Sequence, residues 1–210
     1  MSRVRIAMDP SATHFAVIVI AVILASAAAT NQKANGLYSH EDIAEFIKTS
    51  CNVTLYPQVC VSSLSSYPGS LKAKQSDLVK AAVTVSLLNA RNVSVWAAGL
   101  KARKATMSKS ESTALKDCIG NFKDATYEIS GSLAELKHLK PNTFQFQMGN
   151  VQTWMSAALT DQDSCLNGFQ DLDTSGKVTG TVTGRVQNVC KLISNALALI
   201  NTFAATGAGY

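Results

Sequence analysis

The chain has 210 residues with 19 basic and 14 acidic side chains, a formal net charge of +5, which is length enough for one domain with a real core. The basic excess is thin: its densest stretch, Lys101, Arg103, Lys104 and Lys109, carries no interleaved aromatics, which excludes a nucleic-acid patch. No Cys-x-x-Cys occurs, so neither a zinc site nor a thioredoxin-like centre is encoded.

Arg3 and Arg5 precede Phe15–Ala25, eleven apolar residues without a charge. Ala25-Ser26-Ala27 and Ala27-Ala28-Ala29 then fit a small-residue cleavage pattern, and the apolar run is shorter than the about 20 residues a membrane helix needs. Residues 1–29 therefore read as a signal peptide cut after Ala27 or Ala29, with a short segment, 30–38, after it. The expected product is secreted, with no membrane attachment, and keeps 17 basic and 13 acidic residues.

The domain is expected over residues 39–206, beginning with a helical hairpin over 39–66. Ser39-His40-Glu41-Asp42 puts acids in a first helical turn, where the helix dipole favours them. Cys51 and Cys60 bracket a turn holding Pro57. Their bond would staple a piece too small to hold itself by burial. Asn52-Val53-Thr54 and Asn92-Val93-Ser94 have the form of N-glycosylation acceptors; Asn52, in a turn, is the better candidate.

Residues 76–206 read as four long helices. Between Gly69 and Lys140, and after Pro141, there is no proline, so nothing interrupts them. The first stripe is Leu78, Ala82, Val85, Asn89, Asn92 and Trp96. The second is Leu115, Ile119, Phe122, Ile129, Leu133 and Leu136, with a gap at Thr126. The third is Val151, Trp154, Ala158, Cys165, Phe169 and Leu172. Most regular is the fourth, Val182, Val186, Val189, Ile193, Ala196, Ile200 and Phe203, whose alternating steps of four and three lay one apolar face along a helix. Ser108–Glu111 and Asn142–Gln145 have capping-box form before the second and third helices. Short connections make the default an all-α, up-down-up-down antiparallel bundle.

Five cysteines leave one over,. Side by side in antiparallel helices lie residues equally far from the turn. On that rule Cys118 is level with Cys165 and Cys165 with Cys190, so axial position leaves both pairings open.

Cys51-Asn52-Val53-Thr54-Leu55-Tyr56-Pro57-Gln58-Val59-Cys60, Ala114-Leu115-Lys116-Asp117-Cys118, Asn150–Thr160 with Asp161-Gln162-Asp163-Ser164-Cys165-Leu166, and Ser194–Leu199 together resemble the plant invertase and pectin methylesterase inhibitor family. The resemblance runs from about Ser39 to Phe203. It implies a four-helix bundle with an N-terminal hairpin, disulfides Cys51–Cys60 and Cys118–Cys165, a free Cys190, residence in the apoplast or cell wall, one-to-one binding of an enzyme, and no cofactor or metal. The third block is similar to the pectin methylesterase branch, while Pro141-Asn142-Thr143-Phe144 departs from the Pro-Lys-Phe element of invertase inhibitors. Ending at Tyr210 without a catalytic domain, the chain reads as a free-standing inhibitor. Occlusion of the esterase's substrate cleft by the second to fourth long helices is the implied mechanism. The expected contact residues are Asn121 and Asp124 after Cys118, and Asp161, Ser164, Asn167 and Asp171 around Cys165. Ser164 stands where these inhibitors usually carry threonine, and Trp154 is expected in the core.

The competing readings are an invertase inhibitor and a non-inhibitory helical carrier or structural protein. Catalysis has little to stand on: past residue 29 only His40 and His138 remain, far apart, with no P-loop, H-x-x-x-H or G-x-S-x-G,. The basic excess implies weak attraction to anionic pectin.

Overall fold

The computed structural model describes residues 38–67, 71–102, 107–172 and 177–207. The chain divides into residues 1–40 and 41–210; the expected signal peptide, residues 1–29, lies outside the described residues, and the helical bundle belongs to the second unit.

Six helices are described: α1 (His40–Cys51), α2 (Pro57–Ser65), α3 (Gln75–Ala102), α4 (Lys109–Lys137), α5 (Phe144–Gln170) and α6 (Lys177–Thr206), with a 3-10 turn at Pro141–Thr143 before α5. Helix α3 packs on α4 and α6, α4 on α5, and α5 on α6. This is the square of an up-down-up-down bundle. Helix α2 rests on α3 and α6.

Heptad-like layering makes the core. The buried seam of α4 is Glu111, Leu115, Cys118, Phe122, Ala125, Ile129, Ser132 and Leu136, stepping by four and three throughout. Ala125 fills the gap expected at Thr126, whose hydroxyl donates instead to the Phe122 carbonyl at 2.7 Å. Helix α5 buries Phe144, Met148, Val151, Met155, Ala158, Gln162, Cys165 and Phe169. The seven residues of the fourth stripe are all buried in α6. By length and composition α6 could cross a membrane, but here its apolar face lines the bundle.

Three stripes differ from expectation; in α4, Ile119 and Leu133 are half-buried and Cys118 and Ser132 take their places in the seam. In α3, Leu78 and Ala82 are buried as expected, but the seam that runs the length of the helix is Val79, Val83, Ser86, Ala90, Val93 and Ala97, one residue away from the expected set. Asn92 is exposed and Asn89 half-buried. Small side chains carry much of this seam, and bulk alone misplaces it. Trp154 is half-buried and Met155 takes its core position. The indole lies over Gly131 of α4, where a Cβ would come within 3.2 Å of the ring.

Local hydrogen bonds fix the ends. Ser108 and Glu111 form the expected capping box, with Ser108 Oγ accepting from the Glu111 N–H at 3.1 Å and Glu111 Oε2 accepting from the Ser108 N–H at 2.9 Å. Thr179 of α6 donates its hydroxyl to Glu111 Oε1 at 3.0 Å. The Asn142–Gln145 box does not form: Asn142 lies in the 3-10 turn, and Thr143 occupies the N-cap position with no side-chain capping bond to the helix backbone. Gln147 holds this turn instead. Its Oε1 accepts from the Lys140 N–H and the Thr143 hydroxyl, and its Nε2 donates to Glu135 and to the His138 carbonyl, at 2.8–3.0 Å. The hairpin is held by Asn195 of α6, which donates to the Tyr56 carbonyl at 2.9 Å and accepts from the Tyr56 N–H at 3.0 Å.

Gln162 is fully buried, and neither amide atom has a hydrogen-bond partner among the described residues. An unsatisfied buried polar group costs about 1–3 kcal/mol. Gln162→Met, similar in volume and apolar, is therefore expected to raise Tm by several degrees in a thermal melt. A fall in Tm would contradict this placement of the amide.

Candidate functional site

Helices α4 and α5 are pinned together by Cys118–Cys165, whose Cα atoms lie 4.6 Å apart; Cys51–Cys60 closes the hairpin with Cα atoms 5.7 Å apart. Cys190 is free and half-buried, its thiol 3.7 Å from Asp163 Oδ1. Burial, and then the Asp163 charge, push that thiol up to about 12, so it stays protonated and unreactive. The pairing left open by axial position is thus Cys118 with Cys165.

All six expected contact residues lie on α4 and α5 or at their ends. Asn121 is half-buried and Asp124 exposed on α4; Asp161 is half-buried, and Ser164 and Asn167 are exposed, on α5. Asp171 is the exposed C-cap of α5. The fold brings Asp124 and Asp161 together across the α4–α5 seam. Ser164, Asn167 and Asp171 continue outward along α5 at helical spacing and do not join that cluster.

Glu128, four residues after Asp124, completes it and was not among the expected residues. Glu128 feels the charges of both Asp161 and Asp124, and its Oε2 is buried with no hydrogen-bond partner among the described residues. Burial first, then Asp161, then Asp124, push the Glu128 carboxyl up to about 7. Asp161 is also pushed up, by burial and then by Asp124. The contact has a simple geometric origin. Side chains lean toward their own helix N-terminus, so in an antiparallel pair Glu128 reaches back toward the level of Ala125 and Asp161 toward Ala158, and those levels face one another.

One consequence is a pH effect of definite sign. The folded Glu128 carboxyl lies above its ordinary 4.5, so between that pH and about 7 the folded chain keeps a proton the unfolded chain has released. Stability from this group is complete below the window and is lost as pH rises through it. Glu128→Gln is expected to match the natural chain in Tm near pH 4.5 and to exceed it near pH 7.5. A difference constant across that range would contradict the cluster.

Tyr127, 82% exposed, is the second residue not foreseen. It points away from the core beside the acidic cluster, as a large aromatic held in water by a rigid helix. Phe144 behaves oppositely: it is buried, and its ring meets Phe203 edge-on at 5.4 Å, so the Pro141–Phe144 segment does not offer its aromatic to a partner.

Charge is segregated between neighbouring helices. Helices α3 and α6 carry six basic residues and one acid, whereas α4 and α5 carry seven acids and four bases. Arg185 of α6 lies 4.6 Å above the Trp96 ring of α3. Among the described residues there is no group of three metal-ligating side chains.

Comparisons with known proteins cover most of the chain. The family model described as plant invertase/pectin methylesterase inhibitor matches residues 45–199. Pectinesterase inhibitor 9 of Arabidopsis thaliana is 37% identical over 203 residues, covering 94% of this chain and 96% of that protein. A 21 kDa protein of Daucus carota is 36% identical over 201 residues, covering 94% of this chain and 97% of its own. Among solved structures, a mutant form of a pectin methylesterase inhibitor from Arabidopsis superposes with a TM-score of 0.59 at 19% identity, over 74% of this chain and 95% of that one; this likeness is one of fold.

Proposed function

This chain belongs to the plant invertase/pectin methylesterase inhibitor family, and from that premise we propose that it is a secreted protein of the cell wall that binds pectin methylesterase one to one and covers the esterase's substrate cleft. Family and fold support an inhibitor, not an enzyme. The observation carrying the finer reading is the polar, acid-rich α4–α5 face, held rigid by Cys118–Cys165. A groove that accepts pectin must accommodate a polymer of uronic acid carboxyls, so an acidic, preshaped surface complements it. Because α4 and α5 are cross-linked and layered before binding, little ordering cost is left at association.

Tyr127, Asp124, Asp161 and Ser164 are assigned to this contact, with Asn121, Glu128, Asn167 and Asp171 at its edges. An exposed tyrosine beside polar groups is the kind of residue that dominates interface energies. The basic α3–α6 side lies on other helices and supports weak attraction to anionic pectin.

The test is titration of the processed protein into a plant pectin methylesterase and, separately, into a cell-wall invertase. Stoichiometric loss of esterase activity alone is expected. Loss of invertase activity alone would transfer the chain to the other target, and loss of neither would leave a non-inhibitory helical protein.

A further inference from the structure

We infer that Asn52 carries an N-linked glycan attached before Cys51–Cys60 closes, so that its occupancy is set by a race between glycosylation and disulfide formation. This rests on the secretory part of the proposed function, not on the identity of the enzyme target.

In the folded hairpin Asn52 is exposed in the turn after α1, with room for a glycan. The acceptor geometry is nevertheless closed. Thr54, the acceptor's hydroxyl residue, is buried, and its Oγ1 donates to the Cys51 carbonyl at 2.7 Å. Cys51, next to Asn52, is covalently tied to Cys60. The hydroxyl is therefore committed to the backbone and is unavailable to the Asn52 amide. Attachment must come first.

The timescales let the two steps compete. The long-range non-covalent clamp on the turn is Asn195, 139 residues after Tyr56. At about 5–20 residues per second of synthesis, that clamp arrives seconds to tens of seconds later. Until then the disulfide is what can close the turn, and thiol oxidation takes seconds or longer. Asn92 differs. It lies inside α3, whose local backbone can form in about a microsecond, and in a helix Asn92 and Ser94, two apart, do not face each other.

The chemistry balances without a redox step. Nδ2 of Asn52 forms a bond to the anomeric carbon of a lipid-linked oligosaccharide diphosphate. The bond from that carbon to the phosphate oxygen breaks, Nδ2 loses one proton, and the lipid diphosphate leaves. Disulfide closure, the competing step, transfers two electrons from the paired thiols to a disulfide oxidant of the secretory route.

The experiment expresses the full chain carrying Asn92→Gln in plant cells, pulse-labels it, and reads the endoglycosidase-sensitive mass shift together with the N-terminal residue. One glycan at partial occupancy is expected. Occupancy should rise at least twofold with a brief dithiothreitol pulse and with Cys60→Ser, read on total cell protein so that a misfolded variant still reports. Adding Asn52→Gln should abolish the shift. A chain trimmed after Ala27 or Ala29 that lacks a glycan overturns the inference. So does full occupancy in the natural background, or partial occupancy that neither treatment moves. An untrimmed chain without glycan overturns the secretory reading along with it, whereas failure to inhibit an esterase would leave this result untouched.

Discussion

Ser164→Trp is expected to weaken inhibition of pectin methylesterase at least about 100-fold, a loss of about 2.7 kcal/mol, while helix content and Tm stay unchanged. Ser164 is exposed on α5, immediately before the cross-linked Cys165. An indole there touches no core residue, so folding has no reason to respond. In the complex, the same indole would stand between two surfaces that cannot yield: α5 is tied to α4, and a polymer-binding groove is preformed. The complementary change is Tyr127→Ala, which removes an 82% exposed ring and should cost at least about 2 kcal/mol, or roughly 30-fold, if the ring is an interface anchor. Inhibition assays at several inhibitor concentrations separate the two effects from loss of folded protein. Full inhibition by both variants would move the contact off this flank.

Loss of the cross-link should be felt in stability before it is felt in the contact. Cys118–Cys165 closes a loop with a sequence separation of 47. On the chain-entropy account its removal destabilises by about 4 kcal/mol, which for a domain of this size lowers Tm by about 8–16 °C. The paired change Cys118→Ser with Cys165→Ser leaves no stray thiol in the core and is the variant to melt. Cys190 does not compensate, because the two other cysteines left in this variant, Cys51 and Cys60, are bonded to each other. A drop smaller than about 2 °C would mean that layered packing alone sets the α4–α5 spacing. At temperatures where the variant is folded, its inhibition should weaken less than its stability, since the face itself is unaltered.

Much of the bundle was readable from spacing because its largest residues repeat on one face: the α6 stripe from Val182 to Phe203 is buried as written. Where the core is made of small or polar residues, bulk misled. Ser86, Ala90 and Ala97 belong to the α3 seam, and hydrophobic size points one residue away. Trp154 has the area of a core residue, but glycine at position 131 gives its ring a shelf on α4 and Met155 fills the interior. The Asn142–Gln145 signal failed for a different reason: Gln147, within the first turns of α5, satisfies the same connection through four hydrogen bonds.

At the site, one-dimensional spacing found the α4 and α5 residues but not their meeting. Glu128 was legible in principle as the partner four residues after Asp124. Finding it required the lean of side chains in antiparallel helices, which moves a contact off the level of the Cα atoms toward each helix's own N-terminus. Tyr127 was harder to foresee, since an aromatic in an amphipathic helix is as compatible with a core as with a surface until the phase of the helix is fixed. Here that phase is set by Phe122, Ala125 and Ile129, which put position 127 on the opposite side.

If the acidic α4–α5 face is the surface that meets the esterase, complex formation must slow exchange there. Amide hydrogen exchange on the protein, alone and mixed with pectin methylesterase, tests this most directly. Added protection is expected along Cys118–Gly131 and Ser156–Asp171, with α1 and α2 unchanged. Protection confined to α3 or the hairpin, or none at concentrations where the esterase is inhibited, would contradict it.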